Sequence, residues 1–224
     1  MAEQLIFDLP RRVALGHDDY FVSDANLHAY SLVTAPEEWP EGKLAVYGPK
    51  GCGKTHLARV FAQEHHAEIR AAKSIGADAR LSDSPYLAIE DVDQLTPDGE
   101  EALFHIHNDI RHRGGKLLLT ASTPPQSWTL NLPDLESRLR ATASVAISDP
   151  DDVLLGAVLL KLFEDHQITV DAKLVSYLTG RIDRSFEAAA RMVTLLDREA
   201  LARKRKVNRT LAAELLDHEP STLS

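Results

Sequence analysis

Cysteine is almost absent from this sequence of 224 residues, which contains Cys52 alone. A single cysteine excludes an intramolecular disulfide and fits a reducing compartment. Long apolar runs are also missing, and none approaches the ~20 residues that a membrane-spanning helix needs. The N-terminus has neither the basic start nor the apolar core of a signal peptide. We therefore expect a cytoplasmic protein without a membrane partner.

Positive charge is scarce as well, because 25 Lys and Arg residues are outnumbered by 34 Asp and Glu residues, which leaves a net charge of −9. DNA binding depends on cations that contact phosphates, so we expect direct DNA binding to be weak or absent, and any contact to be local or carried by a partner. The strong basic cluster is residues 203–206 with Arg209. We interpret it as the solvated end of a long helix, with a contact to DNA or to an acidic partner as the alternative.

Apolar residues make up 44% of the chain, and their spacing predicts an α/β fold with a parallel sheet flanked by helices. The predicted helix that starts the domain has Ser23 or Asp24 as its N-cap. Predicted strands are 44–47, 68–71, 86–89, 117–121 and 145–147, and the helices among them are 25–34, 54–64 and 98–113. Beyond Pro150 only helices are predicted, at 151–166, 171–180, 184–206 and 209–217. The predicted domains are an N-terminal tail (1–15), an α/β domain (16–149) and a helical domain (150–224).

A glycine-rich loop between the first predicted strand and the helix 54–64 matches the complete Walker A pattern. Glycines let backbone N–H groups approach phosphates, and the helix N-terminus adds a positive dipole. We expect Lys54 to reach the β- and γ-phosphates and the Thr55 hydroxyl to bind Mg²⁺. Cys52 is interpreted as a variable loop position, with a redox switch as the alternative. The predicted nucleotide-binding residues of this segment are Gly48, Pro49, Lys50, Gly51, Cys52, Gly53, Lys54, Thr55 and His56.

Two carboxylates, Glu90 and Asp91, follow the predicted strand 86–89. In an open parallel sheet, ligands bind at the carboxyl ends of the strands. Such a pair can hold Mg²⁺ and orient an attacking water. We therefore expect both acids to act in catalysis and Glu90, with Thr55, to contact the metal; two exposed acids that cap the next turn are the alternative. Asp93 is interpreted as a solvated loop acid.

Four blocks of sequence, at 53–57, 87–95, 101–108 and 118–125, resemble the DnaA/Hda family of AAA+ proteins. They occur in order, and the resemblance extends from about residue 18 to residue 216. It implies an AAA+ P-loop NTPase core with a small all-helical lid domain, which binds ADP or ATP with Mg²⁺. The segment from Tyr20 is similar to the one that covers the adenine in that family, and the contacts it implies are Phe21, Val22 and Asn26.

The resemblance also implies roles for two arginines. Arg138 is similar to the family's arginine finger, which would act in trans on the ATP of a neighbouring DnaA. An ion pair with Glu136 or Asp134 is the alternative for this side chain. Arg184 is similar to the sensor arginine of the lid domain, with Arg181 as the competing candidate and a surface position in a first helical turn as the other alternative.

The sequence departs from the family pattern at two positions. Glu90-Asp91 stands where DnaA usually has Asp-Asp, and Ser122 stands where it usually has an acidic sensor residue. Both departures favour a protein that holds its nucleotide as a conformational state. A weak intrinsic ATPase activity is left open, and the main role that the resemblance implies is stimulation of ATP hydrolysis by DnaA.

The N-terminal tail resembles a clamp-binding peptide in Gln4, Leu5, Phe7 and Leu9. Gln4 would form a hydrogen bond at the edge of a pocket on the DNA polymerase sliding clamp (beta subunit), and the three apolar side chains would fill its groove. The alternative is an ordinary edge strand packed on the body of the protein. Because the sequence ends at Ser224, we expect no counterpart of the DNA-binding domain that follows the lid in DnaA.

These features together imply a negative regulator of chromosomal replication initiation that has DnaA and the DNA-loaded clamp as partners. A helicase-loader-like AAA+ adaptor is the alternative, and a plain ATPase-fold scaffold is a third reading. The clamp-like peptide discriminates among them, because neither alternative gives a reason for it. Homo-oligomers are common for this core, but the sequence predicts no subunit number.

Overall fold

A computed structural model describes residues 11–13, 20–76 and 83–218. The predicted clamp-binding residues Gln4, Leu5, Phe7 and Leu9 lie outside these ranges. The described residues form two compact units. The α/β unit contains residues 20, 26–76 and 83–148, and the helical unit contains residues 11–13, 21–25 and 149–218.

Two short strands near the N-terminus, β1 (Arg11–Val13) and β2 (Tyr20–Val22), pair with each other. Five parallel strands form a separate sheet in the described part of the α/β unit, and this sheet confirms the predicted fold class. Its strands are β3 (Lys43–Tyr47), β4 (Glu68–Ala71), β5 (Tyr86–Glu90), β6 (Lys116–Ala121) and β7 (Ala143–Ala146). Their spatial order is β4-β5-β6-β3-β7.

The last strand begins earlier than the predicted segment 145–147. Only Val145 of the four residues in β7 is buried, so the first half of the strand carries no apolar signal. Pairing with β3 nevertheless starts at Ala143, which lies opposite Leu44. The strand therefore depends on its neighbour's hydrogen bonds more than on its own side chains.

Four α-helices lie in the described part of the α/β unit, and the one that carries Arg138 was not predicted from the sequence. The first begins after Asn26, not after Ser23 or Asp24 as predicted, because the Ser23 hydroxyl accepts a hydrogen bond from the Ala25 N–H at 3.2 Å and closes a turn instead. Thr96 caps the third helix by accepting a hydrogen bond from Gly99 N–H at 3.2 Å. The four helices are α1 (Leu27–Val33), α2 (Lys54–His65), α3 (Pro97–His112) and α4 (Pro133–Arg140).

The core of the α/β unit lies on both faces of the sheet. In the central strand β6 every residue after Lys116 is buried, as expected for a parallel strand covered by helices on both sides. Leu103 and Ile106 of α3 pack with Leu117 and Leu119 of β6 in one apolar cluster. The sheet is thus a rigid support for the loops at its carboxyl edge.

The helical unit contains four helices with their own apolar core. Leu159, Phe163, Leu178, Leu196 and Leu211 are fully buried in it. The third helix is shorter than the predicted 184–206, because the side chain of its N-cap, residue 185, accepts the N–H of residue 188, and residue 204 turns left-handed at its end. None of the helices in the described ranges has the length and apolar character needed to cross a membrane. The helices are α5 (Asp152–Asp165), α6 (Ala172–Thr179), α7 (Phe186–Arg203) and α8 (Arg209–His218).

Candidate functional site

The glycine-rich loop connects the end of β3 to the start of α2, at the carboxyl edge of the sheet. Gly51 and Gly53 have φ values of 83° and 97°, which disfavour any residue with a Cβ. A Cβ at Gly48 would lie 2.7 Å from the carbonyl oxygen of Ile147 and 3.0 Å from Cys52 Sγ. Glycine is therefore required at each of these positions by backbone conformation or by space. Such a loop before a helix N-terminus is suited to phosphate binding.

Lys54 bridges this loop from the first position of α2. Its side chain is nearly buried, at 8% exposure. The ammonium group donates hydrogen bonds to the carbonyl oxygens of Gly48 at 2.8 Å and Pro49 at 2.9 Å. A buried cation with only neutral acceptors can exchange them for phosphate oxygens, which are stronger partners. Lys50 and Thr55 are exposed on the same segment, and His56 is half-buried.

Cys52 turns inward from the loop and is buried. Burial raises the pKa of its thiol, while the Lys54 ammonium, 3.9 Å from the sulfur, acts in the opposite direction. A thiol with a raised pKa and little exposure is a poor nucleophile. These properties favour packing over the redox switch as the role of this side chain.

Tyr20 packs against the glycine-rich loop, which the sequence analysis did not anticipate. Its Cε2 lies 3.2 Å from the position a Cβ would take on Gly53, and its ring stacks on Tyr30 with 5.9 Å between centroids. Burial raises the pKa of the Tyr20 hydroxyl, which therefore stays protonated. Asn26 is buried beside it in the sequence-predicted adenine segment. Phe21 and Val22 are half-buried and group with the helical unit.

The predicted acidic pair lies at the same edge of the sheet, at the end of β5. Glu90 Oε1 is buried and has no hydrogen-bond partner among the described residues. Asp91 has a left-handed backbone (φ 55°), and its N–H donates to Thr120 Oγ1 at 3.2 Å. Asp93 is exposed, as predicted for a loop acid, and its carboxylate also accepts a hydrogen bond from the N–H of Ser122 at 2.9 Å.

These residues fit a nucleotide with its metal. The orphaned oxygen of Glu90 and the hydroxyl of the exposed Thr55 are hard oxygen ligands of the kind that Mg²⁺ takes. No group of three or more His, Cys, Asp or Glu suitable for a metal occurs within the described ranges. Mg²⁺ usually binds through one or two carboxylates and completes its shell with phosphates and water. The donor set is consistent with that mode.

Arg138 projects from α4 without a carboxylate partner in the described part of the chain. Its guanidinium donates a hydrogen bond to Asn108 Oδ1 and lies over the Phe104 ring, with Cζ 4.8 Å from the ring centroid. The predicted alternative, an ion pair with Glu136, does not form, because Glu136 pairs with Arg140 at 2.7 Å. Within the described residues, no carboxylate therefore compensates the charge of Arg138.

The sensor candidates Arg184 and Arg181 both lie in the helical unit. Arg184 forms a two-point ion pair with Asp152, with 3.0 Å between Nε and Oδ1 and 3.0 Å between Nη2 and Oδ2. Both side chains of this pair are exposed. Arg181 instead lies over the ring of Tyr177, with Cζ 4.0 Å from the centroid.

Sequence and structure comparisons connect this geometry to known proteins. The chain is 23% identical over 228 residues to the chromosomal replication initiator DnaA of Campylobacter jejuni, covering 90% of this chain and 52% of that one. It is 28% identical over 196 residues to DnaA of Zymomonas mobilis, covering 74% and 40%. An uncharacterised protein of Haemophilus influenzae is 25% identical over 185 residues, covering 77% and 80%. No protein-family model matches the chain.

Solved structures agree with the fold. Domain III of the Thermotoga maritima replication initiation protein DnaA superposes with a TM-score of 0.72 at 17% identity, covering 91% of this chain and 95% of that one. AMPPCP-bound DnaA from Aquifex aeolicus gives 0.63 at 20% identity, covering 83% and 66%. The chain is thus similar to DnaA at low identity, and it shares the fold of DnaA domain III. It spans about half or less of the DnaA sequences it matches, at 52% and 40%.

Glu100 anchors the segment that carries Arg138, and no local sequence pattern indicated this role. Its side chain is 4% exposed and accepts three hydrogen bonds. The donors are the Asn131 N–H at 2.7 Å, the Asn131 side-chain amide at 2.9 Å and the Leu132 N–H at 2.9 Å. The carboxylate thus joins α3 to the turn that starts α4.

Replacing Glu100 with Ala is expected to lower the free energy of unfolding by about 3 kcal/mol, because it leaves three donors without an acceptor in a buried position. Urea denaturation followed by circular dichroism measures this change. Glu101→Ala is the matched control, because Glu101 is the exposed neighbour on the same helix and should change stability by less than about 0.5 kcal/mol. Equal losses for the two variants would contradict the anchoring role.

Proposed function

We propose that this chain binds an adenine nucleotide, ADP or ATP, with Mg²⁺ in the glycine-rich loop. Lys54 would hold the β- and γ-phosphates, and Thr55 and Glu90 would hold the metal. The bound metal would neutralise charge on the phosphates. The proposal rests on the positive φ values of Gly51 and Gly53, the nearly buried Lys54 ammonium and the orphaned Glu90 oxygen. The AMPPCP-bound DnaA structure supports it by analogy of fold.

We further propose that the chain is a negative regulator of chromosomal replication initiation that stimulates ATP hydrolysis by DnaA, as expected of an Hda-like protein. The observation that carries this proposal is the environment of Arg138. Its partners, Asn108 and Phe104, are neutral, so they orient the guanidinium without reducing its charge. A fixed, fully charged guanidinium is what a neighbour's γ-phosphate requires in trans.

Under the same proposal, we expect this protein to hydrolyse ATP only slowly by itself. Asp91 would orient an attacking water only with its carboxylate directed at the γ-phosphate. Glu90, beside it, has a longer side chain than the aspartate usual in DnaA, which would displace the metal and slow hydrolysis. Asp93 bonds to the Ser122 N–H at the position of the family's acidic sensor. Nucleotide would therefore serve to fix a conformation, with Arg184 as the proposed sensor residue.

The clamp-binding tail is part of the proposal and provides its first test. We expect purified DnaA to hydrolyse ATP faster with this protein and DNA-loaded clamp together than with either alone. A Gln4→Ala/Leu5→Ala double variant should lose that stimulation, because it removes the polar contact and one apolar anchor. Hydrolysis of radiolabelled ATP pre-bound to DnaA measures the rate, and Glu3→Ala is the control in the same tail.

Two outcomes separate the parts of this proposal. Stimulation that survives in the double variant would refute the tail as the clamp contact while keeping DnaA as the partner. No stimulation in any combination would refute the regulatory role and leave the nucleotide site unaffected. Binding to a replicative helicase in that case would favour the helicase-loader alternative.

A further inference from the structure

The basic cluster at residues 203–206 is divided by the fold into two groups with different roles. Arg205 donates hydrogen bonds to Glu214 from both terminal guanidinium nitrogens, Nη1 and Nη2, at 2.9–3.1 Å. Arg203 binds Glu214 at 3.1 Å and Glu199 at 3.0 Å. These two arginines join the end of α7 to α8, and their charge is balanced within the helical unit. They are structural cations.

A second group of cations lies around Tyr177, and its positive charge is not balanced by carboxylates among the described residues. Arg181, which follows α6, and Arg209, the first residue of α8, both place their guanidinium groups over this ring. The distances from Cζ to the ring centroid are 4.0 Å and 4.9 Å. Neither arginine is ion-paired within the described part of the chain. Two like charges are therefore held close together by an aromatic ring.

The start of α8 adds to this positive region. Its first turn contains no acidic residue. Asn208 accepts the Leu211 N–H at 3.0 Å, which fixes the loop that leads into Arg209. Lys206 lies in that loop, is exposed, and forms no ion pair with any described residue. Helix N-termini favour anions, so the dipole and the cations act in the same direction.

We propose that Arg181, Arg209 and Lys206 form a binding site for the phosphate backbone of DNA. Guanidinium groups suit phosphate because they offer paired N–H donors. All three side chains are exposed, which suits a continuous row of phosphates better than one small, well-solvated anion. Both guanidinium groups lie over the Tyr177 ring. Contacts to phosphates carry no sequence information, so we expect recognition to be independent of sequence.

This site goes beyond the proposed regulatory function and does not depend on the nucleotide site. It is also compatible with the net charge of −9, because the contact is local. About three phosphate contacts predict weak binding. A plot of log Kd against the logarithm of the salt concentration should have a slope of about 2.7. Weak contacts of this kind gain strength when the protein is already held next to DNA.

The test uses the full chain and a fluorescein-labelled DNA duplex of ~20 base pairs, with anisotropy measured between ~50 and ~150 mM NaCl. Arg181→Ala/Arg209→Ala should weaken binding about tenfold or more and lower the salt slope by about 1.8. Arg181→Lys/Arg209→Lys should keep the slope, because it keeps both charges. Arg203→Ala/Arg205→Ala is the matched control, because it removes the same formal charge from the ion-paired group.

Three results would overturn the proposal. The first is no binding by the unmodified chain at ~50 mM NaCl. The second is an equal loss of affinity in the control variant, which would indicate a general charge effect. The third is competition by polyglutamate of matched charge as effective as that of unlabelled duplex, which would indicate an acidic protein partner. If Arg181→Ala/Arg209→Ala has a lower melting temperature, its loss of binding could come from unfolding, and Arg181→Lys/Arg209→Lys is then the deciding variant. A salt slope equal to that of the unmodified chain supports the site, and a reduced salt slope refutes it.

Discussion

Replacing Lys54 with Ala is expected to weaken ADP binding about 100-fold or more, a loss of about 2.7 kcal/mol. The ammonium is the nearly buried cation of the glycine-rich loop, and two backbone carbonyls hold it across the loop at 2.8 and 2.9 Å. Phosphate would replace these neutral acceptors with a charged one, and a hydrogen bond between ions is worth more than one to a neutral group. Isothermal titration calorimetry with ADP and Mg²⁺ measures the affinity.

Lys50→Ala is the matched control for this experiment. It removes the same charge from the same loop, but its side chain is exposed. A phosphate contact at this position would come from the backbone N–H, which the substitution keeps. We expect its affinity for ADP to stay within about threefold of the unmodified chain. Equal effects of the two substitutions would mean that Lys54 contributes only to the general charge of the loop. An affinity of Lys54→Ala within threefold of wild type would remove the loop as the nucleotide site.

The parts of the fold that could be predicted are those specified by residues adjacent in the sequence. The buried strand β6 is a run of apolar residues, and the loop before α2 is specified by its own glycines. The helix α4 was not identified because it has eight residues, begins with Pro133 and carries charge on most of its surface. Its two buried residues, Leu135 and Leu139, are too few to establish a period.

The contacts that were not predictable join residues distant in the chain. The hydrogen bond from Ser122 to Asp93 spans 29 positions, and those from Asn131 to Glu100 span 31. No local pattern distinguishes Glu100, which is buried, from Glu101, which is exposed. The helix α3 turns one carboxylate towards α4 and the other towards solvent, and that difference exists only once α4 has docked.

In the basic cluster too, contacts between residues distant in the chain decide the role of each side chain. In the sequence its arginines and lysines are equivalent neighbours. In the fold, Arg203 and Arg205 lie near Glu214, whereas Arg209 lies near Tyr177 and Arg181. The cations available to a ligand are therefore defined by the packing of α6, α7 and α8, not by their density along the chain.

Replacing Arg138 with Ala is expected to abolish the stimulation of DnaA and leave ATP hydrolysis at the rate of DnaA alone. An arginine supplied in trans can raise a hydrolysis rate by about 10³-fold or more. Arg138→Lys should be nearly as defective, because an ammonium cannot reproduce the planar fork that Asn108 and Phe104 orient. ADP affinity and clamp binding should be unchanged in both variants, which separates loss of the arginine from loss of the fold.

Arg140→Ala provides the control on the same helix. Arg140 is 53% exposed and pairs with Glu136, so its removal changes the charge of α4 equally without affecting the oriented guanidinium. We expect this variant to stimulate DnaA as well as the unmodified protein, within about twofold, because exposed ion pairs contribute little. If Arg140→Ala were as defective as Arg138→Ala, α4 would act through its overall charge as a docking surface. If Arg138→Ala stimulated normally, the catalytic arginine would have to come from DnaA itself, and this chain would act by holding DnaA in a hydrolysing conformation.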